Sequence, residues 1–250
     1  MGGKRFGVLL CAEDSEYVKN KYGGYFGVFM RMLAEEGETW DMYKVASGEF
    51  PKDHELVLYD GFVITGSCSD AYGNDKWVHD LITLINKLYS INKKTLGICF
   101  GHQILARALG GKVNRSPTGW DIGVRTITLS PSLPLALSSL HLPSKLSIIE
   151  CHRDEIEELP QKAMVIGWSD KTGIEMFVCG DHIMGIQGHP EYSTDILLQI
   201  IDRLIQRNFI MEAIVVEARE KAEQWELDME AWKILCITFL KAHSHTNHIV

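Results

Sequence analysis

The 250-residue chain has no C-x-x-C pair, no long apolar run and no surplus of positive charge. Its six cysteines, Cys11, Cys68, Cys99, Cys151, Cys179 and Cys236, are scattered, so neither a disulfide framework nor a zinc site is signalled. That usage suits a reducing, cytosolic compartment. No stretch is long enough to span a bilayer. The apolar run Phe6–Ala12 is too short for a signal peptide and lacks a cleavage-like flank. Lys and Arg number 25 against 33 Asp and Glu, a net charge of −8, which argues against a general nucleic-acid or anionic-membrane binder. With no G-x-G-x-x-G and no P-loop, a flavodoxin-type cofactor binder is disfavoured. No internal repeat or low-complexity linker divides the chain.

What is present is a full hydrophobic complement, 46% of residues, enough for one domain with a large core. Strand-like and helix-like runs alternate through the first half. Phe6–Cys11, Trp40–Val45, Leu58–Thr65 and Lys94–Ile98 read as strands. Gly24–Glu36, stopped by Gly37, and Lys76–Ile91 read as helices. This alternation implies an α/β fold with a doubly wound, mostly parallel sheet and helices on both faces. Short extended runs then follow at Lys112–Val113, Gly123–Leu129, Ser147–Cys151, Met164–Ser169, Ile174–Cys179 and Ile183–Gln187, implying added antiparallel strands. Ile196–Asn208 and Glu212–Ala242 read as helices, the latter a C-terminal extension beyond a core of about residues 6–207. The tail His243–His248 reads as a disordered polar segment rather than a metal site.

Between a strand and a helix stands Gly97-Ile98-Cys99-Phe100-Gly101. A G-x-[nucleophile]-x-G pentapeptide in that place is the pattern of a nucleophile elbow. The glycines permit a sharp turn, and the cysteine sits at a helix N-terminus, where free N–H groups favour thiolate. The next N–H, on Phe100, is placed to stabilise an oxyanion. Taken alone, the pentapeptide also fits a buried cysteine in a βα turn. A nucleophile needs a base and an orienting group. Gln187-Gly188-His189-Pro190-Glu191 supplies both, because residues two apart in an extended segment project to one side. His189 can carry the proton and Glu191 can hold its tautomer. The adjacent acid follows the histidine, unlike the order of α/β-hydrolases.

Gly97–Gln103 with Gly188-His189-Pro190-Glu191 resembles the class I glutamine amidotransferase domain. The resemblance implies a flavodoxin-like three-layer fold and a Cys99–His189–Glu191 triad that acts through a γ-glutamyl thioester. It also maps a second oxyanion donor to the Gly66 N–H and a substrate contact to Gln103. Typical members carry Gly-Gly-Pro where this chain has Gly66-Ser67-Cys68, and they feed ammonia to a synthetase for which this chain has no room. The segments around Asp14, Tyr25, Cys68 and Cys151-His152-Arg153-Asp154 are more similar to the plant γ-glutamyl peptidases. That likeness implies a cytosolic, monomeric enzyme acting on glutathione or its S-conjugates, as in glucosinolate and related sulfur metabolism. No metal or organic cofactor is implied. For the substrate, Gln103, Trp120 and Asp121 are expected on the γ-glutamyl side, with Asp121 meeting the α-ammonium. Arg153 and Asp154, then Asp14, Tyr25 and Arg125, are candidates on the leaving-group side. A glutaminase supplying a separate synthetase, and a non-catalytic module on the same fold, remain the alternatives.

Overall fold

The structure, a computed structural model, describes residues 3–242, so the histidine-rich tail lies outside the described residues. The chain runs β1 (Arg5–Leu9), α1 (Glu16–Tyr22), α2 (Gly24–Leu33), β2 (Thr39–Tyr43), β3 (Gly61–Ile64), α3 (Lys76–Ser90), β4 (Lys94–Ile98) and α4 (Phe100–Ala108). It continues β5 (Lys112–Arg115), β6 (Asp121–Leu129), α5 (Leu135–Ser138), β7 (Lys145–His152), β8 (Asp154–Glu158), β9 (Ala163–Trp168), β10 (Met176–Cys179) and β11 (Ile183–Ile186). Three helices close it: α6 (Thr194–Gln206), α7 (Glu212–Gln224) and α8 (Met229–Lys241). Nine strands form one sheet in the order β2-β1-β3-β4-β11-β10-β9-β6-β7, and β5 pairs with β8 in a small second sheet. The pairings from β2 through β11 are parallel; those from β11 to β7 are antiparallel. The expected architecture, parallel half and antiparallel addition, is what the chain adopts.

The inner parallel strands β1, β3, β4 and β11 are buried on both faces, which is why they read as apolar runs, whereas the edge strand β2 is partly exposed. One face packs Phe6, Val63, Leu96 and Ile98 against Phe29 of α2 and Trp232, Leu235 and Phe239 of α8. The other packs Leu9, Phe62 and Ile64 against Val78, Leu81 and Ile85 of α3 and Ile104 and Leu105 of α4. A third cluster joins Ile122 and Val124 of β6 to Ile196, Leu197 and Ile201 of α6 and Val215 and Ala218 of α7. Among the described residues no helix is long and apolar enough to cross a membrane.

Several boundaries differ from the sequence expectation. The strand expected at Leu58–Thr65 begins only at Gly61, because Asp53–Leu58 forms a 3-10 turn that leaves Val57 and Leu58 exposed. Helix α2 ends at Leu33, short of Gly37, and α1 and β8 were not anticipated. The single helix expected over Glu212–Ala242 is two. The break is set by tertiary bonds: Ser147 donates from its N–H (2.6 Å) and Oγ (2.8 Å) to the Asp228 carboxylate, and Trp232 Nε1 donates to the Ser147 carbonyl (2.8 Å).

Helix α4 is buried through its first two turns and carries His102, which is wholly enclosed beside Phe177 with ring centroids 5.1 Å apart. Burial pushes its pKa down to about 3. A histidine in the unfolded chain titrates near 6.5 and takes up a proton that the folded chain refuses. This contribution to stability is complete above about pH 6.5 and is lost as pH falls towards 3, by up to about 1.4 kcal/mol per pH unit. His102→Gln is therefore expected to flatten the acid side of the stability–pH curve by about one proton, read by denaturant unfolding at a series of pH values. An unchanged slope would mean that His102 takes up its proton while folded.

Candidate active site

Three neighbouring parallel strands deliver the site. β3, β4 and β11 lie side by side, with Ile64 opposite Gly97 and Ile98 opposite Ile186. The chain leaves their carboxyl ends into Thr65-Gly66, Cys99 and Gln187-Gly188-His189, the place where open α/β sheets bind ligands.

Cys99 is the N-cap of α4 and holds φ 52° and ψ −103°, a conformation a side-chain-bearing residue rarely adopts. Its N–H is tied to the Ile186 carbonyl at 2.8 Å. The strain, on the order of 1–3 kcal/mol, falls on the cysteine itself. The flanking glycines are needed for close packing rather than for their dihedrals. A Cβ on Gly97 would lie 2.4 Å from the Gly101 carbonyl oxygen, and one on Gly101 would lie 2.2 Å from that of Ile64.

His189 is held by its backbone and by two neighbours. Its N–H donates to the Ile149 carbonyl at 2.7 Å, an isolated bridge to β7. Its Nδ1 donates to Glu191 Oε1 at 2.9 Å. Its ring stacks on Tyr192, centroids 4.0 Å apart and planes within 2°. All three residues are buried. Gly66 fits against this ring so closely that a Cβ there would lie 2.9 Å from His189 Cε1 and 3.7 Å from Cys99 Cβ.

The electrostatics couple the cysteine to the histidine. Burial pushes the Cys99 thiol up, and His189 opposes that rise. Burial would drive His189 down, but Glu191 and Cys99 prevail and lift the imidazole to about 10. A lone thiolate is disfavoured here; thiolate and imidazolium stabilise each other and form as a pair. The arrangement can activate a sulfur nucleophile and return the proton to a leaving group.

These residues open onto a cavity of about 250 Å³. Of the residues singled out from sequence, Gly66, Cys99, Gln103, Trp120, Arg153, Asp154, His189 and Glu191 line it, as does Tyr25. The Phe100 side chain points away, packing on Trp77 with centroids 5.4 Å apart, while its N–H opens α4 without an intrahelical acceptor. Gln103 donates from Nε2 to the Asp154 carbonyl (2.8 Å) and Gln187 Oε1 (3.0 Å), so its amide is braced by the protein. Asp121 is a correction: it does not line the cavity. It is buried against Arg125, whose Nε donates to it at 2.8 Å, with Lys171 Nζ at 3.7 Å. That also removes Arg125 from the site, and Asp14 is spent accepting the Tyr25 N–H at 2.6 Å.

Sequence reading missed the opposite wall. Ile200, Arg203, Leu204 and Arg207 of α6 and the following turn line the cavity, with Phe209 beyond. Their i, i+3, i+4, i+7 spacing marks one helical face and was available in the sequence. Cys68 and Cys151 also line the cavity; all six cysteines are free.

The comparisons with known proteins fall into place on this geometry. The family model for glutamine amidotransferase class-I matches residues 17–203. The chain belongs to the class I glutamine amidotransferase family. It is 46% identical to gamma-glutamyl peptidase 5 of Arabidopsis thaliana over 243 residues, 96% of this chain and 97% of that protein. It is 45% identical to gamma-glutamyl peptidase 2 of the same plant, over 95% of this chain and 96% of that one. To the glutamine-hydrolysing GMP synthase of Aeropyrum pernix it is 29% identical over 131 residues, 52% of this chain and 24% of the synthase. Among solved structures, a glutamine amidotransferase of Thermotoga maritima superposes with a TM-score of 0.73 at 23% identity, covering 96% of this chain and 98% of its own, a likeness of fold.

Because a methyl group on Gly66 would press into His189, Gly66→Ala is expected to cut turnover at least tenfold while the protein stays folded, read by glutamate release and circular dichroism. Wild-type turnover in Gly66→Ala would mean that His189 does not need the position described.

Proposed function

We propose that this family member is a cysteine-dependent γ-glutamyl peptidase, a hydrolase acting on glutathione or its S-conjugates, with Cys99, His189 and Glu191 as its triad. The observation that carries the reading is the convergence of strained Cys99 and the His189–Glu191 pair, bonded at 2.9 Å, on one cavity. The near-full-length match to the peptidases, against a quarter of the length of the GMP synthase, supports the peptidase over a glutaminase that serves a synthetase.

In this reading Cys99 gives its proton to His189 and its sulfur attacks the γ-carbonyl carbon. The oxyanion takes hydrogen bonds from the Phe100 and Gly66 N–H groups. The C–N bond breaks as His189 passes its proton to the departing amine, leaving a γ-glutamyl thioester. Water, deprotonated by His189, attacks the thioester, and glutamate leaves as the thiol is restored. Glu191 keeps the imidazole oriented. Glutamine and glutathione share this acyl group and differ in the amine that leaves. The α6 wall suits the larger, anionic amine: Arg203 and Arg207 supply positive charge, with Arg153 across the cavity, and Ile200, Leu204 and Phe209 supply apolar surface for an S-substituent. Gln103 and Trp120 remain the candidates on the γ-glutamyl side. We place the enzyme in the cytosol as a monomer, in the processing of glutathione conjugates that leads to sulfur secondary metabolites such as glucosinolates.

Purified protein offered glutathione, a glutathione S-conjugate and glutamine should release glutamate chiefly from the first two. Cys99→Ala should lower that rate by roughly four orders of magnitude or more with the fold intact, and Glu191→Gln should lower it less. Activity of Cys99→Ala equal to wild type would sink the mechanism; brisk glutamine hydrolysis with the glutathione compounds inert would transfer the assignment to a glutaminase. Arg203→Gln is expected to raise KM for glutathione roughly 10- to 100-fold, the worth of one charged hydrogen bond, and to leave KM for glutamine unchanged. Equal effects on both substrates would remove Arg203 from the leaving-group side.

A further inference from the structure

Beside the catalytic groups lies a second cluster of polar groups, which reaches the cavity through His152. Glu150 and His152 project from the same face of β7, and Glu175 immediately precedes β10. Their exposures are 0%, 4% and 1%. One ligand-capable atom from each lies within 4.8 Å of the other two. Among the described residues, both oxygens of Glu150, both of Glu175 and His152 Nε2 have no hydrogen-bond partner. Five orphaned buried polar atoms around one point are costly, since each forfeits its hydration without replacement.

The imidazole sharpens the problem. His152 Nδ1 lies 3.0 Å from the Asp154 carbonyl oxygen, which can only accept, so Nδ1 carries the hydrogen. Nε2 then presents a lone pair to Glu150 Oε2 at 3.4 Å. Burial holds His152 neutral, pushing its pKa down to about 4. The Nε2 lone pair thus faces a carboxyl oxygen with a third carboxyl group alongside, and burial raises both Glu150 and Glu175 above the ordinary carboxylate range, so the cluster holds protons when no ion replaces them. The nearby cations do not resolve it, for Arg125 and Lys171 both address Asp121.

We propose that Glu150, His152 and Glu175 form a binding site for a divalent first-row metal ion. Two carboxylates and one neutral imidazole are the hard and borderline donors that such ions take. Ligand bonds of about 2.0–2.2 Å place neighbouring donor atoms roughly 3–4 Å apart; His152 Nε2 and Glu150 Oε2, at 3.4 Å, already stand at that spacing, and Glu175 closes in from within 4.8 Å. The carbonyl bond at Nδ1 is the outer-shell partner that fixes the tautomer of a metal-bound histidine. The ion plays no part in acyl transfer. It fastens the end of β7, where His152 faces the cavity and Ile149 holds the His189 backbone, to the segment before β10. Glu150 also sits under Gly188, where a Cβ would lie 2.3 Å from its Oε1, so the ion braces the loop that carries His189 from beneath.

Mn2+ is the probe, because it favours carboxylate and imidazole over the chain's six thiols, and its six-line electron paramagnetic resonance signal is lost on binding. Full-length protein, dialysed against EDTA, is titrated with Mn2+ while thermal unfolding is followed in parallel. Wild type should bind one ion and unfold at a higher temperature when it does. Glu150→Gln/Glu175→Gln should weaken binding at least tenfold and lose the rise in unfolding temperature. Glu175→Gln alone, checked by circular dichroism, serves if the double variant does not fold. Undiminished free-ion signal with wild type, or binding by either folded variant as tight as wild type, would overturn the site.

Discussion

The pairing of β3, β4 and β11 is the constraint on which the rest of the molecule depends. Parallel strands in register end level with one another, so the loops that leave them emerge at one edge. No two of Gly66, Cys99 and His189 are close in sequence, and nothing local could assemble them. The energy that does so comes from burying apolar strands on both faces, between α2 and α8 on one side and α3 and α4 on the other. Chemistry at the edge is therefore a by-product of packing in the middle. The elbow strain at Cys99 is sustained by this surrounding structure, as the clash distances at Gly97 and Gly101 show.

The proton-handling groups are tuned by exclusion of water more than by any single charge. Burial alone would leave both Cys99 and His189 neutral. Glu191, itself enclosed, together with Cys99 tips the balance towards the imidazolium by charge and hydrogen bonding. Tyr192 covers the outer face of the ring, so the pair is shielded without a second charge. The same logic without a counterion is seen at His102, where enclosure simply forbids the charge.

What the sequence disclosed follows a physical pattern. The elbow and the Gly-His-Pro-Glu segment were readable because short-range geometry dictates them: a strand, a turn that demands small neighbours, a helix start, and two side chains on one side of an extended stretch. The doubly wound half was readable from its apolar rhythm. Asp121 misled because its partner, Arg125, lies four residues on along β6, on the same side of the strand, and the acid by itself says nothing of that. The break between α7 and α8 has neither proline nor glycine to announce it; it exists because Asp228 binds Ser147, 81 residues away in sequence. The arginines of α6 had the right spacing, but which face of that helix meets the cavity is decided by the third hydrophobic cluster.

The cavity is built from two parts of the chain that meet in one cluster: Ile149 and Tyr192, which hold His189, pack there beside Ile196, Leu197 and Ile201 of α6. The reacting side is fixed by sheet pairing, whereas Arg203 and Arg207 ride on a helix pinned at its start by Asp195, which accepts hydrogen bonds from Tyr17 (2.6 Å) and Tyr22 (2.8 Å) of α1. A change at Tyr192 therefore reaches both walls at once, the ring of His189 and the start of the helix that carries Arg203.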